Sequence, residues 1–230
     1  MRSARRSSLW GERTRHAYFP IQGFISLVTP VEGASALEVG LVGNEGMHGI
    51  SLALGVDVSP LRSIVQGGGS ALRMSAAAFK REHLESLDFR QQLNRYLYVL
   101  MSQLAQSAAC TRFHQVDARL ARWLLMTSDR AHADEFHITQ TFLAWMLGVR
   151  RASVTVAALA LQKKSLITYK RGAVIVLNRR GLEACACCCY QNDKDVYQRI
   201  LGTKKRPAIK TAAPGVPLNT RKRDREIGGA

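Results

Sequence analysis

The chain has 230 residues, 47% of them hydrophobic, and 33 Lys and Arg against 17 Asp and Glu give a formal net charge of +16. That length sets one or two domains with a real core, and that charge points to a polyanion partner, of which nucleic acid is the usual one. No apolar run reaches the roughly 20 residues of a membrane span, and the opening MRSARRSSLWGERTRH lacks the apolar stretch of a secretory signal, so a cytoplasmic location and no membrane partner are expected.

Residues 1–16 carry five arginines and little apolar periodicity, which predicts a loose start. From Ala17 the pattern turns β-rich. Tyr18-Phe19-Pro20 leads through Gly23 to a strand at Phe24–Val28, and a turn over Pro30–Ala34 precedes a second strand at Leu37–Val42. Gly43–Gly46 is a turn, and the stretch between Gly49 and Gly55 suits one helical turn. Two more strands, Ser63–Gln66 and Ala71–Met74, flank the glycines at 67–69. Short strands with glycine corners predict a compact β-roll or barrel.

Ser75 is placed to cap a helix through Phe79 and Leu84, and a longer helix starts near Asp88. Along it Leu93, Leu97, Leu100 and Leu104 step by four, three and four, the spacing of a coiled-coil seam, which predicts a dimer interface; an intramolecular core contact is the alternative. Val116–Thr127 is another helix, with Leu120, Trp123, Leu124 and Leu125 facing inward, and His132–Glu135 reads as a loop.

The most informative stretch follows. Ile138, Phe142, Leu143 and Met146 mark one face of a short helix that begins at Thr139, its N-cap, and Gln140, and Gly148 closes it. Val149, Val154, Ala157, Ala158 and Leu161 mark a second helix, whose first turn carries Arg150, Arg151, Ser153 and Thr155. Two short amphipathic helices across a glycine turn predict a helix-turn-helix, and polarity concentrated at the start of the second helix suits base reading. Leu166–Tyr169 and Ala173–Leu177 then form a hairpin whose tip, Lys170-Arg171-Gly172, would touch phosphates as a wing. Asn178 starts one last helix reaching Leu201, and the Lys/Arg-, Pro- and Gly-rich remainder predicts a disordered basic tail.

The five cysteines, Cys110, Cys185, Cys187, Cys188 and Cys189, make a poor disulfide framework and fit a reducing compartment. A zinc site needs ligand pairs set well apart, and nothing near the run at 185–189 supplies the second pair, so no metal and no cofactor are expected. The six histidines are scattered, and the sequence holds no phosphate-cradling loop, His-Glu metal motif or nucleophile elbow, so the chain is not expected to be an enzyme.

Tyr18-Phe19-Pro20, Gly23–Val28, Glu38–Met47 and Leu147–Thr155, in this order around a leucine-stepped helix, resemble the Crp/Fnr family of bacterial transcription regulators. The resemblance covers about residues 17–200 and implies an α+β fold. Its parts would be a loose basic segment at 1–16, a cyclic-nucleotide-binding-like β-roll sensor domain at 17–87, a dimerisation helix at 88–112, a winged helix-turn-helix at 113–201 and a basic disordered tail at 202–230. The start is short for such a roll, so an incomplete roll is expected. By position Arg151 resembles the family arginine that pairs with guanine, while Ala152 stands where many members keep a glutamate that reads cytosine.

Arg62-Ser63 resembles the family's cyclic-phosphate clamp, yet Gly49-Ile50-Ser51 stands where a nucleotide-binding member has a glutamate for the ribose. No cysteine precedes Cys110, so the iron–sulfur branch is not matched. The expected function is a homodimeric, sequence-specific regulator on double-stranded DNA, with an effector other than cyclic AMP. The DNA-binding residues would be Thr139, Gln140, Arg150, Arg151, Ser153, Val154, Thr155, Lys170 and Arg171. RNA polymerase and a small-molecule effector at Arg62 and Ser63 are further candidate partners. The alternative is a cyclic-nucleotide-binding regulatory protein whose main activity is ligand sensing.

Overall fold

The computed structural model describes residues 12–31, 34–202 and 216–217. The expected loose start over 1–11 and the basic tail over 203–215 and 218–230 lie outside the described residues.

The N-terminal part is one antiparallel sheet. Strands β1 (His16–Val31), β2 (Ala34–Val42) and β3 (Arg62–Ser75) lie in the order β2-β1-β3, and within the expected tail Val216–Pro217 adds two residues beyond β3. The short strands expected along β1 and β3 are therefore two long ones. The glycines do not end them. Pairing of β1 with β3 slips on both sides of Gln22, so the ladder bulges and continues. A Cβ on Gly69 would sit 2.0 Å from the Gln22 carbonyl oxygen, so only glycine permits this approach.

The sheet is covered on both faces. Ile25, Leu27 and Val42 pack with Phe79, Leu93 and Leu100, whereas their neighbours Phe24, Val28 and Leu41 join the core of the C-terminal helices. Period-two alternation thus sends one strand into two cores. The stretch between Gly49 and Gly55 is a 3-10 turn, Ile50–Leu54, with positive φ at both glycines.

Helix α1 (Ala76–Glu85) starts where predicted, the Ser75 hydroxyl accepting the Ala78 N–H at 3.2 Å. Helix α2 (Leu87–Phe113) follows, capped by Ser86. The expected leucine seam is corrected here. Leu93 and Leu100 are only 4% and 5% exposed, because the chain's own sheet and α1 cover them. Leu97 and Leu104 are half-buried, and Leu104 packs against the same core.

Helix α3 (Val116–Ala131) runs one turn further than predicted and buries Leu120, Trp123, Leu124 and Leu125. Glu135 is not loop: β4 (Glu135–His137) joins a three-stranded sheet with β5 (Ile167–Lys170) and β6 (Ala173–Val176), in the order β4-β6-β5. Between them lie α4 (Gln140–Leu147) and α5 (Arg151–Lys163). The single last helix is also corrected. It is two, α6 (Arg179–Cys185) and α7 (Cys189–Leu201), broken where Ala186 turns extended. Tertiary contacts decide that break. Arg179 bonds Asp129 on α3 and the Tyr190 hydroxyl, while α7 lies along α2. There Gln103 donates to the Tyr197 hydroxyl at 3.3 Å and accepts the Leu41 N–H at 2.9 Å.

Candidate nucleic-acid interface

The reading unit is assembled from local signals. Thr139 Oγ1 accepts the Phe142 N–H at 3.1 Å and starts α4. Gly148 ends it at φ 62°, and the chain turns through 105° between α4 and α5. The apolar faces predicted for both helices point into one core: Ile138, Phe142, Leu143, Met146, Ala157, Ala158 and Leu161 are all buried.

Arg150 and Arg151 occupy the N-terminus of α5, and both are exposed. Neither guanidinium forms an ion pair among the described residues, and the first turn holds no acidic residue. Two fixed positive charges therefore add to the positive end of the helix dipole, which makes an anion-attracting tip. Ser153 is half-buried beside them. Val154 is a correction: it is fully buried and cannot face DNA. It lies three, four and seven residues before Ala157, Ala158 and Leu161, the inward stripe of the helix. Thr155 donates to Gln140 Oε1 at 2.8 Å, so that pair ties α5 to α4.

The wing is a two-residue hairpin. Arg171 and Gly172 have φ of 51° and 84°, the pair of left-handed residues that such a turn requires. Lys170 and Arg171 are exposed at its tip. The Ile138 N–H donates to the Gly172 carbonyl at 2.6 Å, and the Tyr169 hydroxyl donates to the Ile138 carbonyl at 2.7 Å. Burial pushes the Tyr169 phenol up to about 12, so it remains a donor. These bonds hold the tip at a fixed distance from the start of α4. The outward face of α5 also carries Ala152, singled out in the sequence, and Val156 and Leu159, which were not anticipated; all three are exposed. Their signal was the gap in the inward stripe, which leaves positions three and four apart facing out.

The sensor-side pair does not form an open clamp. Ser63 is 7% exposed, and its hydroxyl pairs with His48 Nδ1 at 3.0 Å. Burial pulls His48 down to about 4, so the ring is neutral at neutral pH. Ile50 packs against the sheet core and offers no acceptor. Arg62 begins β3, and its Nε is buried with no hydrogen-bond partner.

Between sheet and reading unit lies a polar joint. Trp123 Nε1 donates to Glu38 Oε1 at 2.8 Å, and Arg130 Nε donates to Glu45 Oε1 at 2.9 Å. Burial raises the Glu38 carboxyl to about 7, against the pull of Ser26, Trp123, Arg122 and Arg130. Leu37 on β2 touches the turn itself: a Cβ on Gly148 would meet its Cδ1 at 2.8 Å. The cysteine expectation is corrected in the same region. The run at 185–189 does meet a second pair, Cys110 and His114, at the end of α2.

A sheet domain is thus joined through a long helix to a winged helix-turn-helix. Residues 118–185 match the Crp-like helix-turn-helix domain. No curated protein sequence matches the chain significantly. Among solved structures, a CRP-family transcriptional regulator from Thermus thermophilus superposes with TM-score 0.66 at 19% identity, over 80% of this chain and 94% of that one. A second regulator of the same organism, assigned to the CRP/FNR family, gives 0.61 at 18% identity, over 80% and 98%. FixK2 from Bradyrhizobium japonicum gives 0.64 at 11% identity, over 81% and 98%. The chain thus carries a Crp-like helix-turn-helix domain within the Crp/Fnr fold. No single helix among the described residues is long and apolar enough to cross a membrane.

Proposed function

We propose that the chain is a homodimeric, sequence-specific DNA-binding transcription regulator of the Crp/Fnr type, without enzymatic activity, working in the cytoplasm. The carrying observation is the exposed Arg150-Arg151 tip of α5, which forms no ion pair among the described residues, with Arg151 near enough to Tyr169 of the basic hairpin to interact electrostatically. In this reading α5 enters the major groove. Arg151 donates bidentately to guanine O6 and N7, with Arg150 and Ser153 on neighbouring edges or phosphates. Ala152 and Val156 offer apolar contact to thymine methyls, and Lys170 and Arg171 hold backbone phosphates. Gln140 and Thr155 position the helix rather than read a base.

The dimer would form along a partly open stripe of α2. Leu97, Met101, Leu104 and Ala108 repeat the four-three-four spacing; Met101 is 61% exposed and Ala108 is exposed, whereas Leu97 is half-buried and Leu104 also packs against the sheet core. An effector at the sheet would bias the reading heads through Glu38–Trp123 and Glu45–Arg130, and RNA polymerase would be the partner on DNA.

Site selection from random DNA tests this, followed by Arg151→Ala on the selected site. The expected loss is about 1–3 kcal/mol on the specific site, with little change on random DNA. Equal losses on both would defeat it. The unpartnered Nε of Arg62 favours a second reading, cyclic-nucleotide sensing as the main activity. Calorimetric titration with cyclic AMP and cyclic GMP decides it: heat with micromolar affinity supports that reading, and none supports the first.

A further inference from the structure

The C-terminal end of α2 and the α6–α7 junction meet in a cluster of soft ligands. Cys110 lies in the last turn of α2, and His114 is that helix's C-cap residue. They stand four residues apart, which puts both on one side of the helix end. Cys187 and Cys189 flank Cys188 at the start of α7. The four ligand atoms lie within 4.8 Å of one another. Cys110 Sγ is 3.5 Å from Cys187 Sγ, and Cys189 Sγ is 3.5 Å from His114 Nδ1.

These two separations are close to those around a tetrahedral ion. With metal–sulfur bonds of about 2.3 Å and metal–nitrogen bonds of about 2.0 Å, tetrahedral angles put sulfurs about 3.8 Å apart and sulfur and nitrogen about 3.5 Å apart. The three thiols are buried, at 2%, 7% and 0% exposure, and no other apolar core contains them. The surroundings suit a thiolate cluster as well. Gln106 Nε2 donates to Cys189 Sγ at 2.9 Å, an outer-shell bond. Arg122 and Arg119 lie close enough to interact electrostatically with Cys110 and Cys187, and so oppose the cluster's negative charge. Of the other two cysteines, Cys185 stands apart, its Sγ facing Lys164 at 3.7 Å, whereas the exposed Cys188 has its Sγ 3.8 Å from His114 Nε2, the ring nitrogen that does not face Cys189.

We propose that Cys110, His114, Cys187 and Cys189 form a closed structural zinc site that clamps the end of the α2 helix to the last two helices of the DNA-binding unit. Four protein ligands leave no open position, which is the pattern of structural rather than catalytic zinc. Binding releases three thiol protons to solvent and takes His114 as neutral imidazole, so the Zn2+ and three thiolates carry one net negative charge. The ion fixes the angle between dimerisation helix and reading head. The ligand pairs are over seventy residues apart in sequence, so the site exists only in the folded chain and stabilises it.

The test uses the full chain, stripped of metal under reducing conditions and titrated with Co2+. The expected result is one cobalt per chain, with thiolate-to-cobalt charge-transfer and tetrahedral ligand-field absorption that Zn2+ abolishes. Cys110→Ser, Cys187→Ser and Cys189→Ser each lose the charge-transfer signal or weaken binding by more than about a hundredfold, and Gln106→Ala weakens it about 10–100-fold. Cys185→Ser binds as the natural chain does. Absence of the absorption at stoichiometric cobalt overturns the site. So does an equal loss in Cys185→Ser, or an intact mass showing a Cys110–Cys187 disulfide that persists under reductant. The stoichiometry of the unaltered protein needs no variant, so a misfolded mutant does not blunt the test. No DNA is present, so failure here and failure of the DNA-reading proposal remain distinct results.

Discussion

Glu38→Gln isolates one buried charge at the joint between sheet and reading unit. In the folded chain the carboxyl titrates at about 7 rather than 4.5, because burial penalises the ionised form. At about 1.4 kcal/mol per tenfold change, the ionised carboxylate costs the native state about 3 kcal/mol above neutral pH. The sign follows from proton counts. Below about pH 4.5 the group is protonated in both states; between there and about pH 7 only the folded chain keeps the proton, so stability falls as pH rises. Glutamine is isosteric, keeps an acceptor for Trp123 and does not titrate. His48, depressed to about 4, slopes the opposite way below its ordinary 6.5, but it does so in both proteins and cancels in their difference. Urea unfolding at constant salt and protein concentration, from about pH 5 to about pH 8, measures that difference. The variant should exceed the natural chain by under about 1 kcal/mol at the acid end and by about 3 kcal/mol at the alkaline end. A difference that does not change with pH would refute the reasoning.

Four further outcomes are expected. Met101→Asp puts a charge in the proposed α2 seam and should give monomers in sedimentation with unaltered circular dichroism, whereas an unchanged sedimentation coefficient would remove the seam. Gly148→Val combines a left-handed φ with a clash on Leu37, and should destabilise by more than about 2 kcal/mol in urea, while Thr139→Ala, which loses only the cap, should cost about 1 kcal/mol. Lys170→Ala with Arg171→Ala should weaken specific and random DNA alike and, with two wings in the dimer, lower the salt-dependence slope by about 4.

The local features of the reading unit were legible in the sequence because each rests on neighbours in the chain. Thr139, Gly148 and the Arg171-Gly172 turn act within a few residues of themselves. Val154 was legible too: the apolar stripe that announces the helix also assigns that residue inward. The leucine seam misled because spacing alone does not say what covers a helix face. A four-three-four repeat fits a partner helix and the chain's own sheet equally well, and here the sheet takes Leu93 and Leu100. The glycines at 23 and 69 misled for a similar reason, since a glycine that ends a strand and one that lets it bulge look alike until the opposite strand is in place.

Composition, periodicity and turn chemistry determined that the chain holds a β-rich half, a long helix and a basic winged helix-turn-helix. Those properties are local, and each is set by residues within one or two turns. Tertiary structure alone decided which side of α2 stays open, that Glu38 is buried against Trp123, and that Cys110 and His114 meet Cys187 and Cys189. Those meetings depend on how α7 lies along α2 and how β2 lies on α4, contacts between segments far apart in the chain, whose burial and charge no local pattern encodes.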